Sequence, residues 1–178
     1  MIKKFLLFVF FFFFIINNSY GITIGTLKLN YILNNVEVYN NLLKDIDSKK
    51  KIVQNKLRDR ESELLNEEKK IEESKLLLSQ EELNKKILLY QEKVNIFQND
   101  IEKYNQFFST NIDKNKSILM KLIIEIVSNI SEQNNYDLIL NEDNYFLSSG
   151  KIDISEQIII DINKKNIELL TLNIDEIL

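Results

Sequence analysis

The chain has 178 residues, 23 of them Lys or Arg and 27 Asp or Glu, with no Cys and no His. These absences exclude disulfides, thiol nucleophiles, imidazole bases and the usual zinc ligands. The formal net charge is -4, and no basic patch of the kind that grips a phosphate backbone is present, so nucleic acid is not an expected partner.

Lys3 and Lys4 open the chain, residues 5–16 are an unbroken apolar run, and residues 17–21 are short and polar. Ser19 and Gly21 stand at the minus-three and minus-one positions of a cut after Gly21. This three-part layout predicts a secretory signal peptide over residues 1–21, because the apolar run is too short to span a bilayer comfortably. An uncleaved anchor is the alternative, decided by the intact mass of the secreted protein.

Residues 22–27 alternate apolar and small side chains and predict a strand with Ile22 and Ile24 on one face. Residues 29–33 predict a helical turn. Asn34 stands three before Glu37, the spacing of a helix cap, so a long helix is expected to open there.

Residues 37–134 contain no Gly and no Pro, the two residues that most often interrupt a helix. In the second half, Leu83, Ile87, Tyr90, Val94, Phe97, Ile101, Tyr104 and Phe108 recur at alternating steps of four and three, the rhythm of a coiled-coil seam. In the first half one phase reads Tyr39, Ile46, Val53, Arg60, Glu67, Ser74 and the other Leu43, Lys50, Leu57, Leu64, Ile71, Leu78. Only the second phase stays apolar, so the stripe thins with distance, and the far end is expected to be the more mobile.

The two seams do not share a register, since Leu78 to Leu83 is a step of five. Between them Ser79 and Glu82 have capping-box spacing, with Leu78 and Leu83 placed as a hydrophobic staple. A helix is expected to end near Leu77 and another to start near Gln80, giving a hairpin rather than one rod, with its turn near residues 78–82. Tyr90, Phe97, Tyr104 and Phe108 are then expected to pack inside the hairpin, while Lys50 and Arg60 lay their stems along it.

After Phe108 an extra step of four marks a stutter, and the seam is expected to continue as Ile112, Lys116, Leu119, Ile123, Ile126, Ile130. Ile118, Leu122, Ile124 and Val127 add apolar residues off the seam, as expected of a helix entering a packed body. Residues 136–140 and 145–148 predict two strands joined as a hairpin by the turn 141–144. Asp153 and Glu156 form a cap pair for a helix running to about Leu170. The tail beyond it has no predicted structure. The expected division is a signal peptide (1–21), a body (22–36 with 118–178) and a hairpin arm (37–117).

Residues 44–103 carry 14 basic and 14 acidic side chains, whereas residues 104–178 carry 6 and 12. The arms are thus neutral and the remainder acidic. Neighbouring carboxylates such as Glu67 with Glu68 lie on a solvated helix face, with nothing apolar to raise a pKa for acid catalysis. There is no Gly-rich phosphate loop. No enzyme activity, cofactor or metal is expected.

The order of these parts, with Ile24-Gly25-Thr26-Leu27, Leu29-Asn30-Tyr31-Ile32-Leu33-Asn34, Tyr136-Asp137-Leu138-Ile139-Leu140 and Lys151-Ile152-Asp153-Ile154-Ser155, resembles the Skp (OmpH-like) family of periplasmic chaperones. The resemblance covers residues 22 to about 165. It implies a mainly α fold with a small β body: a long antiparallel helical-hairpin arm on a β-barrel-like trimerisation body. It also implies a homotrimer that holds unfolded outer-membrane β-barrel proteins between its arms without ATP. The neutral arms depart from the basic arms of the family, which bears on charge-driven client capture and on any peripheral lipid contact. The tail is longer than the family pattern.

A holdase needs many weak contacts around a confined space. The apolar residues off the seams, Leu65, Leu76, Leu77, Leu88, Leu89 and Ile96, are the candidate client contacts. The alternative class is a structural or adaptor coiled coil of the cell envelope, which would bind one fixed partner through the same helices.

Overall fold

The computed structural model describes residues 21–176. The predicted signal peptide lies outside the described residues, apart from Gly21. A helical hairpin makes up most of the described chain. Helix α2 (Glu37–Ser74) has 38 residues and helix α3 (Gln80–Asn134) has 55, lengths of about 57 and 83 Å at the usual helical rise. Cross-helix partners run in opposite senses: Lys50 sits over Phe108, Arg60 pairs with Asp100, and Glu67 pairs with Lys93. The helices are therefore antiparallel.

Ser79 closes the bend as predicted. Its hydroxyl accepts from the Glu82 N–H, and the Glu82 carboxylate accepts from the Ser79 N–H at 3.0 Å. The hydroxyl of Ser79, then its backbone N–H, holds the Glu82 carboxyl below its usual range. The first helix stops three residues earlier than the predicted Leu77. Lys75 N–H bonds back to Glu72 and Leu77 N–H to Ser74, three-residue spacings that tighten and end the turn.

The α3 seam from Leu83 to Tyr104 is half-buried at each of its positions, whereas Phe108, Leu119, Ile123, Ile126 and Ile130 are buried, with Ile112 half-buried between them. Both α2 phases face inward, with Ile46, Val53, Leu64 and Ile71 buried. Past the stutter, however, the inward position is Asn115, not the expected Lys116, which is exposed. Of the off-seam residues, Ile118, Leu122 and Val127 are half-buried, but Ile124 is left exposed.

The body gathers both chain ends around the hairpin root. Strand β1 (Ile24–Leu27) pairs in parallel with β2 (Leu138–Asn141), in the register Ile24 to Leu138 through Leu27 to Asn141. Between them run helix α1 (Leu29–Asn35) and the hairpin, which returns the chain to its start. Asn135 ends α3 in the left-handed conformation, φ 52°, which Asn tolerates better than branched residues.

The sheet has two strands and no closed barrel among the described residues. The predicted strand 145–148 does not form. Its intended turn is used elsewhere: Asn141 Oδ1 accepts from the Leu29 N–H and Glu142 Oε1 from the Asn30 N–H, so these side chains cap α1. The turn becomes a 3-10 segment (Glu142–Asn144) leading away from β2. The other edge of β1 is met by a single bridge from Thr26 to Asp153, with the Ile154 N–H bonding to Thr26 C=O at 2.9 Å.

Helix α4 (Ser155–Asn163) is shorter than expected. Asp153 accepts from the backbone and hydroxyl of Ser155, while Glu156 accepts a hydrogen bond from the Tyr31 hydroxyl instead of completing a box. Asn163, not Asn34, supplies the side-chain oxygen for the first N–H of α2. Ile32, Leu119, Ile158 and Ile162 are fully buried where α1, α3 and α4 meet.

Candidate functional site

Coiled-coil pairing buries one stripe per helix and leaves the rest to solvent, so apolar residues off the stripe stay bare. All six candidates behave this way: Leu65, Leu76, Leu77, Leu88, Leu89 and Ile96 are exposed. Leu76 and Leu77, at 95% and 86% exposure, form the bend itself. Leu65 lies on α2 and Leu88, Leu89 and Ile96 on α3, all in the half of the arm nearest the bend. Leu89 also lines an open groove with Ile71, Glu67, Lys70, Lys86 and Lys93. The others stand on open surface rather than converging on one pocket.

Two ion pairs cross between the helices on this half of the arm. Lys93 bonds both oxygens of Glu67 at 2.7 and 2.8 Å, and Arg60 reaches Asp100 while lying over the Phe97 ring. Burial, then the Glu68 and Glu67 carboxylates, raises the Tyr90 hydroxyl pKa. Lys50 lies 5.6 Å from the Phe108 ring centroid. Lys50 and Arg60 thus bring their charged ends over seam aromatics, where the sequence predicts stem packing with the charges in solvent.

Two features escape a reading of the sequence. The first is the bare pair Phe146 and Leu147, beside a Tyr145 hydroxyl that is buried with no hydrogen-bond partner among the described residues. Their failure to pair as a strand is what exposes them. The second is Asn115 and the tail it holds. Asn115 is fully buried on α3, donates to the Leu170 C=O at 3.0 Å and accepts from the Leu170 N–H at 2.6 Å. From α2, Lys49 reaches the Leu172 C=O at 2.6 Å. Asn is so common in this chain that its single buried instance carries no signal.

In the body, Lys28 and Asp153 pair at 2.9 Å. Burial pushes the Asp153 carboxyl upward, but hydrogen bonds from Ser155 and Lys28 outweigh it and hold the group below its usual range. Among the described residues no cluster of acidic side chains could hold a metal ion, and no helix is long and apolar enough to cross a membrane.

The structure is thus a long two-helix arm on a small α/β body, with apolar side chains bare along the outer half of the arm. The chain belongs to the OmpH-like family: the family described as outer membrane protein (OmpH-like) matches residues 23–162. With that membership goes a chaperone role in general terms. In fold, the chain is similar to a crystal structure assigned as an outer membrane chaperone (OmpH-like) from Caulobacter crescentus CB15. That likeness has a TM-score of 0.74 at 15% identity, covering 88% of this chain and 92% of the other. The comparison with curated proteins finds no match.

Proposed function

We propose that this chain is an ATP-independent holdase of the periplasm that binds unfolded outer-membrane proteins between helical arms and keeps them from aggregating. The observation that carries this reading is the run of exposed Leu65, Leu76, Leu77, Leu88, Leu89 and Ile96 on the outer half of the arm. Scattered apolar side chains without a pocket give many weak contacts, whose sum holds a chain that no single one could. Binding the unfolded state selectively withdraws it from premature collapse. The neutral arms make this capture apolar first, so salt should alter it little.

A cavity between arms requires several copies, and the family resemblance favours three. The open outer edge of β2, the bare Phe146 and Leu147, and the unbonded Tyr145 hydroxyl support assembly through the body. The predicted signal peptide supports export. The division into a body (22–36 with 118–178) and an arm (37–117) belongs to the same reading.

Light scattering of the leaderless protein, alone and with several unrelated outer-membrane proteins diluted from urea, tests it. A trimer that protects every client at defined stoichiometry is the expected result. One tight partner and no general protection would instead establish an envelope adaptor.

A further inference from the structure

The tail beyond α4 lies outside the family-matched residues, which end at 162, yet it is seated on the hairpin those residues build. It runs without helix or strand to a short 3-10 turn (Ile174–Glu176). Ile167, Leu169 and Ile174 pack half-buried against the core, and Leu172 is buried. The polar contacts at its centre are made to backbone. Asn115 brackets the N–H and C=O of Leu170, and Lys49 takes the C=O of Leu172 from the opposite helix. The Leu170 side chain, by contrast, is exposed.

A carboxamide that both donates to and accepts from one residue repeats the pairing of a β-strand neighbour. It serves any residue that has an N–H, so only Pro is refused. Apolar seats for separated side chains, with polar grip on the main chain between them, are what binding an extended segment of loosely defined sequence requires.

We propose that the hairpin root between Lys49 and Asn115 is a binding site for an extended polypeptide segment, and that the C-terminal tail is its tethered occupant, displaced by an extended stretch of unfolded client. This rests on the holdase reading. A short tether gives the tail an effective concentration on the order of mM. A client segment must compete with that, so it is held loosely, and the returning tail completes its release without fuel. The outer leucines make first contact; the root takes a segment only while the tail is out.

Because the chain has no Cys, spin labels at Thr171→Cys and Lys121→Cys report the tail uniquely; both positions are exposed, and Lys121 and Leu170 line the same shallow surface. Mixed with excess unlabelled chain, so that an assembly holds at most one labelled copy, the leaderless chain should give one short, narrow distance. A synthetic peptide of residues 164–178 added in excess should replace it with long, broad distances. The same peptide with Leu170→Pro should do so at least tenfold less well. A urea-diluted eight-stranded outer-membrane barrel protein should act like the unmodified peptide. Leu172→Ser in the labelled chain, which leaves the hairpin sequence intact, should release the tail with nothing added. A distance unmoved by saturating peptide and by client, while the client stays soluble, would overturn the proposal and leave the tail a fixed strap. Displacement by peptide without any protection of clients would keep the peptide site and remove the holdase reading instead.

Discussion

The two ends of one hairpin are built from the same two helices, yet they differ in what surrounds them. At the root, Ile46, Val53, Phe108, Leu119 and Ile123 are buried because α1, α4 and the tail close over the two-helix seam. Toward the bend, Leu83 to Tyr104 remain half-buried because each helix has only the other for company. Periodicity alone therefore does not set stability; a third layer does, by completing the burial that a two-stranded seam begins. The outer half has buried Leu64 and Ile71 on one helix only, facing half-buried partners, with cross-helix ion pairs and bare leucines around them, a region able to open locally while the root holds.

The sharpest way to break this contrast is to truncate matched seam residues. Leu119→Ala at the root should cost about 2–5 kcal/mol and lower the melting transition of the whole protein. Ile87→Ala, half-buried near the bend, should cost only about 1 kcal/mol and show as faster amide exchange confined to the outer arm. Equal losses at the two positions would mean that the hairpin is uniform. Ser79→Ala removes the cap at the bend and should cost about 1 kcal/mol, again seen by hydrogen exchange in the outer arm and not at the root. Arg60→Met should change stability by less than about 1 kcal/mol, because the ion pair with Asp100 is partly exposed to solvent.

Acid acts on the other end. The Asp153 carboxyl is depressed in the folded protein, so the unfolded state binds the proton more readily. Its contribution is complete above the unfolded carboxylate pKa, near about 4, and is lost as pH falls through the lower folded value. Body contacts should therefore weaken at the acid end of a titration followed by near-ultraviolet dichroism. Asp153→Asn should flatten that part of the profile.

The same division governs what the sequence discloses. The outer arm is largely legible: each Leu83-to-Phe108 position is at least half-buried and the Ser79 box stands where the register breaks, although the first helix ends at Ser74 and not near Leu77. Those signals are local, spaced within one or two turns. The body is not, because its polar pairing is long-range. The first N–H groups of α1 are met by Asn141 and Glu142, and that of α2 by Asn163, all more than 100 residues away in the chain. A turn-like run at 141–144 accordingly reads as a hairpin when it is a cap. α4 stops at Asn163 because the later apolar residues cover the hairpin root instead of continuing the helix. Periodicity prefers Lys116 to Asn115 on the seam for a related reason: beyond the Asn111 C=O on its own helix, the buried carboxamide finds its partners in the tail, unplaced in the sequence.

The holdase reading stands most directly on the bare leucines of the outer arm. Aggregation of a urea-diluted outer-membrane barrel protein should be followed by light scattering with the natural chain and with Leu76→Ser, Leu77→Ser, Leu88→Ser and Leu89→Ser combined. These residues are exposed, so the variant should fold and assemble unchanged while losing most of its protection of the client. Full protection by that variant would contradict the assignment of the outer arm as the working surface.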